Sequence, residues 1–228
     1  YDITAWNVAK VFGLNYSITT TPSDTKNPPK THERLPKAYG YAISWQGGNV
    51  SKALSWMLQN DISVRFSENQ FTLNGRKFDR GTLLILNNGL NREIELSTTM
   101  DSMAQQFDIE IVPLSGGMVD SGNDMGSESI RFIKSPRVVL LGGDGAFSLS
   151  TGEIWFHLDR ELNYPAGLVN VTQMRFFNWN EADVIIMPDG NYSFLRDKDI
   201  ADQLENWIRR GGKLIAFEGA VSQLTGLN

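Results

Sequence analysis

Hydrophobic residues recur along this chain with two periods, one helical and one extended. After Asn49, a favourable helix N-cap, Val50, Ala53, Leu54, Met57 and Leu58 fall at offsets 0, 3, 4, 7 and 8 and predict an amphipathic helix. Leu96, Met100, Met103, Ala104 and Phe107 share one face of a second. Short apolar or alternating runs at 41–45, 63–66, 82–86 and 109–112 predict strands around them. Residues 71–73 and 77–78 flank Asn74-Gly75 and predict a hairpin about a tight turn. Beyond residue 130 the alternation is cleaner, with strands expected at 137–141, 168–172, 183–187 and 214–217. One helix there carries Ile154, Trp155, Leu158 and Leu162 inward, and another Ile200, Leu204, Trp207 and Ile208. Ser150 and Glu153 have the spacing of a capping box, and Gly211-Gly212 is a stop signal for the later helix.

Strands alternating with helices of this length predict a parallel sheet covered on both faces. Residues 131–228 therefore read as a flavodoxin-like α/β domain, and 39–113 as a smaller α/β domain with the hairpin inserted. A Gly-, Ser- and acid-rich stretch, 114–130, separates the two as a linker. Residues 1–38 read as an N-terminal arm and linker. Their apolar start holds Trp6, Val8, Val11, Phe12 and Leu14, and the polar stretch that follows holds four of the eight prolines.

Composition narrows the function classes. With 228 residues, 41% of them hydrophobic, the chain has the apolar content of an ordinary globular protein rather than a disordered one. A net charge of −5 with scattered Lys and Arg argues against a nucleic-acid partner. No apolar run approaches the roughly 18–20 residues of a membrane span. The absence of cysteine excludes disulfides, Cys-ligated zinc and a thiol nucleophile. The chain opens at Tyr1 with no charged-then-apolar targeting segment, and is expected to be a processed product or an excised piece of a longer one.

Open α/β sheets bind ligands outside the carboxyl ends of their strands. Three carboxylates are expected at that edge in the second half: Asp144, Asp189 and Glu218, each just past a strand and beside a glycine. They suit a cation or sugar hydroxyls; equally, Asp-Gly after a strand is an ordinary way to leave a sheet. The aromatic run 175–179, ending at Trp179, is either a stacking surface beside those carboxylates, a docking surface, or a loop folded over its own core. The loop at 142–145 lacks the Gly-Lys-Ser/Thr ending of a phosphate loop, and Asp144 would repel a phosphate. Of the two histidines, His32 lies in the Pro-rich stretch and His157 beside the apolar stripe of its helix. Neither is spaced to hold zinc, and no Gly-x-Ser-x-Gly elbow is present.

Several phrases, in order along the chain, resemble one family: the region after the catalytic domain of large bacterial carboxypeptidase A-like zinc metallopeptidases. They are Tyr1-Asp2-Ile3-Thr4-Ala5-Trp6, Asp124-Met125-Gly126-Ser127, Ser135-Pro136-Arg137-Val138, Gly152-Glu153-Ile154-Trp155 with Leu158-Asp159, and the run from Asp183 to Gly190. The resemblance implies a class I glutamine-amidotransferase-like fold for the second half. Amidotransferases carry a cysteine at a sharp strand-to-helix turn, activated by histidine and an acid. The segment 214–224 resembles that turn and puts Glu218 at the nucleophile's position. The resemblance therefore implies the fold without the activity. The expected role is a non-catalytic accessory domain of a zinc carboxypeptidase, with no cofactor or metal of its own. Its expected partners are the catalytic peptidase domain of the same parent chain and further copies in a homo-oligomer, and its expected location is periplasmic or secreted. The alternative reading is a cation- or carbohydrate-binding module using Asp144, Asp189 and Glu218, with Trp179 beside them.

Overall fold

The computed structural model describes residues 34–226, together with residues 9, 13, 15–18 and 20. The chain divides into two compact units, Tyr1–Glu33 and Arg34–Asn228. Most of the apolar arm, the phrase at 1–6 and His32 lie outside the described residues. The second unit is mixed α/β, with one parallel sheet and two antiparallel ones. No described helix is long and apolar enough to cross a membrane.

The first part of this unit contains β1 (Gly40–Ile43), α1 (Gly47–Gln59), β2 (Arg65–Ser67), the hairpin β3 (Phe71–Leu73) and β4 (Arg76–Phe78), then β5 (Leu83–Leu86), α2 (Leu96–Phe107), β6 (Val112–Leu114) and β7 (Ile130–Phe132). The larger sheet has the order β6-β1-β5-β2-β7, and every neighbouring pair is antiparallel. This corrects the parallel sheet that alternation predicts here. Each helix still joins two strands of like direction, β1 to β2 and β5 to β6, but the two units interleave so that a strand of the other separates each pair. Periodicity reports the crossover and not which strand fills the gap. Helix α2 buries Leu96, Met100, Met103 and Ala104 as expected. Helix α1 starts three residues early, so Asn49 lies in its first turn and Gln46 is the cap. Asn74 and Gly75 both have positive φ, 51° and 72°, the conformation of a tight hairpin turn.

The stretch expected to be a linker is packed. Met125 is buried, and Ser121 bridges to Thr72 of the hairpin. The strand Ile130–Phe132, which straddles the expected boundary at 131, belongs to the first sheet through its pairing with β2.

The remainder contains β8 (Val138–Gly142), α3 (Ser148–Phe156), β9 (Ala166–Asn170), β10 (Val184–Met187), α4 (Lys198–Arg209), β11 (Lys213–Ala216) and α5 (Gly219–Thr225). These four strands form a parallel sheet in the order β9-β8-β10-β11. One face, through Val139, Leu141, Ile185 and Met187, packs on Ile200, Leu204 and Trp207 of α4. The opposite face, through Val138, Leu140 and Ile186, packs on Ile154 and Leu158. That cover is incomplete: Leu168, Ile215 and Phe217 remain 56%, 44% and 42% exposed. Trp155 and Ile208, expected inward, both lie partly in solvent.

At the amino edge of this sheet Asp183 accepts from the Arg137 side chain at 2.8 and 3.0 Å and from its backbone N–H at 2.8 Å. The Arg137 side-chain hydrogen bonds, before any other cause, hold the Asp183 carboxyl down to about 2 from its usual 3.8. The pair therefore contributes stability above about pH 4 that is lost as the pH falls towards 2. Both side chains are about half exposed, so solvent screening keeps the contribution below about 1 kcal/mol. Asp183→Asn is expected to flatten the acid limb of the stability curve between pH 4 and 2, with little change in its shape at neutral pH. Urea titrations at stepped pH would read this, and an unchanged acid limb would refute it.

Candidate functional site

The sheet's strand order changes direction between β8 and β10, so the loops leaving these two strands diverge and frame the carboxyl edge. All three candidate carboxylates lie at this edge. The loop after β8 carries Asp144, the loop after β10 carries Asp189, and the turn from β11 into α5 carries Glu218.

Backbone bonds join the three loops. Asn191 N–H donates to the Gly145 carbonyl at 2.6 Å and Phe147 N–H to the Asp189 carbonyl at 2.8 Å, while Ala146 and Gly190 form an isolated bridge. On the other side Phe217 N–H donates to Met187 at 3.0 Å. Gln223, from α5, donates to the carbonyls of Gly190 and Gly219 at 2.7 and 2.8 Å and accepts from Tyr192 N–H at 2.7 Å. The loop after β8 closes as a turn in which Ala146 N–H donates to the Gly143 carbonyl at 3.1 Å, and Phe147 N–H is taken by the Asp189 carbonyl.

Asp189 is the centre of this network. Its Oδ1 accepts from Gly219 N–H at 2.9 Å, and its own N–H donates to Ser150 Oγ at 3.1 Å. Ser150 is thus a loop anchor inside α3 and not the cap its spacing with Glu153 suggests; the helix begins at Ser148 with Phe147 before it. Tyr192 is buried and donates its hydroxyl to the Pro188 carbonyl at 2.7 Å. Burial first, and then the charge of Asp189, push its pKa up, so it stays a neutral donor at every physiological pH. Ser150, Gln223 and Tyr192 are the residues that sequence reading left out of the site. Their only signal is that they face the loops once the chain is folded.

Asp144 and Glu218 are exposed. Among the described residues no three Asp, Glu or His side chains are grouped as metal ligands, so the three carboxylates share an edge without converging on an ion. Trp179 is elsewhere. It precedes β10, at the amino edge, and is buried with its Nε1 donating to Gln203 at 2.9 Å and its ring tilted against Trp207. Of the three readings open for the run 175–179, the structure shows the loop folded over its own core, and not a stacking surface beside the carboxylates: Phe177 and Trp179 pack into the core, and of its aromatic rings only Phe176 stands in solvent. His157 follows α3, which runs back from the carboxyl edge, so it sits at the far end of that helix from Glu218.

Glu218 itself has φ 45° and ψ −113° at the junction of β11 and α5. This is a glycine-type conformation, costing a residue with a Cβ roughly 1–3 kcal/mol. A strained strand-to-helix turn of this kind is the geometry that lifts a nucleophile above a sheet and offers the next backbone N–H to an oxyanion. Here the elevated side chain is a carboxylate, and that next N–H, of Gly219, is already bonded to Asp189. A Cβ at Gly219 would lie 2.7 Å from Asp189 Oδ1 and 3.2 Å from the Gly190 carbonyl oxygen, so a side chain there would displace the carboxylate that holds its N–H. Glu218→Gly is expected to stabilise the protein by about 1 kcal/mol and raise its melting temperature by roughly 2–4 °C. A lower melting temperature would mean that the Glu218 side chain holds the turn rather than straining it. No protein-family model matches the chain, nor does any curated protein or solved structure.

Proposed function

We propose that this chain is a non-catalytic accessory module of a zinc carboxypeptidase, whose second half is an amidotransferase-like domain on the flavodoxin-like plan. The strand order β9-β8-β10-β11 is that plan's order for its first four strands. The observation that carries the reading is the turn at Glu218. The position of a nucleophile holds a carboxylate, and the neighbouring N–H is bonded to a second carboxylate. An oxyanion developing there would meet the Asp189 charge instead of a free donor, which raises the barrier to acyl transfer. The zinc carboxypeptidase parent rests on the ordered resemblance of short phrases along the chain. The role is docking on the peptidase domain, assembly of copies or shaping of substrate access, in a periplasmic or secreted setting. The partly uncovered sheet face at Leu168, Ile215 and Phe217 supplies apolar surface for such docking.

The purified chain is expected to release neither C-terminal amino acids from peptides nor ammonia from glutamine. Glu218→Cys is expected to remain inactive, because the Asp189 bond to Gly219 persists. Activity in either protein would overturn the non-catalytic reading. The parent is tested by the reading frame upstream of Tyr1, which is expected to encode a His-x-x-Glu with a later histidine. A frame without them would overturn the peptidase assignment.

A further inference from the structure

Strand β7 is the outer strand of its sheet, and among the described residues no strand pairs with its free edge. Its register shows which backbone groups point outward. Ile133 N–H donates to Val64 and Glu68 N–H to the Ser129 carbonyl, so the pairs 64/133 and 68/129 are hydrogen-bonded. By alternation the pair Phe66–Arg131 is bonded too, whereas Arg65–Phe132 and Ser67–Ile130 are not. The Ile130 carbonyl, both groups of Phe132 and the Lys134 N–H therefore point away from β2, at the two-residue spacing of an unfilled ladder.

This edge forms one wall of a cleft of about 930 Å3. The opposite wall comes from Trp179, Trp207 and the segment Arg210 to Lys213. Its charged lining is four cations, Arg131, Lys134, Arg210 and Lys213, against the single carboxylate of Asp183. That carboxylate is taken up by Arg137, and Arg131 is held by Glu68 at 2.7 Å. Lys134, Arg210 and Lys213 thus set a positive field in a chain whose net charge is −5. Basic residues on an edge strand alone serve to discourage pairing. Here Arg210 and Lys213 stand on the facing wall, where they select the charge of what enters.

We propose that this cleft binds an extended acidic segment of a partner protein as an added strand on β7. Backbone hydrogen bonds to Phe132 and Lys134 supply the affinity, and Lys134, Arg210 and Lys213 select acidic side chains. The site is separate from the carboxyl edge and does not depend on the accessory role proposed above.

Fluorescence anisotropy with a labelled peptide alternating glutamate and valine tests it on the whole chain. Binding is expected to weaken with salt, and the lysine–valine counterpart is expected not to bind. The acidic peptide N-methylated at alternate residues is expected to bind at least about tenfold more weakly, since it cannot complete the ladder. Lys134→Glu with Arg210→Glu is expected to cost about tenfold or more. Phe132→Pro should cost a similar factor while keeping every bond to β2, because that N–H points outward. Circular dichroism checks that the variants fold, and the methylated peptide needs no variant. Equal binding of the lysine peptide, no binding of the acidic one, or indifference to N-methylation would each overturn the proposal. Tighter binding of an oligothymidylate than of the acidic peptide would overturn it in favour of a nucleic-acid site.

Discussion

Trp207→Ala is expected to cost the parallel-sheet half about 3–5 kcal/mol, the usual cost of removing a buried large aromatic. The ring is buried in the core with Ile200 and Leu204, and its centroid lies 6.1 Å from that of Trp179. Its Nε1 donates to the Ala182 carbonyl at 3.0 Å in a buried setting, so truncation also leaves that carbonyl without a partner. Gly212 presses on the same ring so closely that a Cβ there would lie 2.3 Å from it. The backbone thus closes over the indole and cannot collapse easily into the space left behind. Since domains are stable by only about 5–15 kcal/mol, the variant should sit near its unfolding threshold. Urea denaturation would show a lower midpoint at unchanged slope, and Trp207→Phe should fall between the two. A loss below about 1 kcal/mol would mean that the ring is not the keystone of this face.

Gly190→Ala is the second large effect expected. A Cβ at this position would lie 2.2 Å from the Gly145 carbonyl oxygen and 2.9 Å from Ala146 Cα. Both are backbone atoms, so no side-chain rotation relieves the clash and the loops after β8 and β10 must part. The cost should reach the upper end of the roughly 1–3 kcal/mol typical of overpacking. Separation would also free Asp189 from Gly219, which amide hydrogen exchange at Gly219 would report as lost protection. Gly152→Ala is the matching control: nothing lies within 4 Å of its Cβ position, in the middle of α3. It is expected to stabilise by roughly 0.5–1 kcal/mol. If the two substitutions behaved alike, the close approach of the two loops would not be what holds the edge together.

The two variants also separate what was legible in the chain from what was not. The stripe Ile200, Leu204 and Trp207 announced a buried helix face, because helical period is a local property that neighbouring residues impose. Ile208 continued the stripe yet lies partly in solvent, since the width of the buried face depends on what covers it. Asp144, Asp189 and Glu218 could be placed at one edge from their positions after strands. Which of them is bound to the protein and which stands in solvent was not legible. Asp189 differs from the others only because Gly219 N–H, 30 residues away, reaches its side chain. Ser150 follows the same rule: its spacing with Glu153 is that of a capping box, yet its hydroxyl serves Asp189, 39 residues on, rather than its own helix. The aromatic run ending at Trp179 leaves open whether it faces a ligand, a partner or its own core; folding decides for the core, before β10 and against α4, at the edge opposite the carboxylates.

The sequence by itself determined the mixed α/β character, most of the helices and strands, the hairpin at Asn74-Gly75, and the absence of a cysteine from the turn at Glu218. These depend on local period, turn chemistry and residue identity, which need no partner to be read. Only the tertiary structure decided the interleaved antiparallel sheet, the recruitment of β7 to its edge, the strained backbone of Glu218 and the capping of Gly219 by Asp189. Apart from the Glu218 conformation, each is a pairing between segments distant in the chain, chosen by burial and by the satisfaction of backbone hydrogen bonds across the whole fold, and no local pattern encodes the partner.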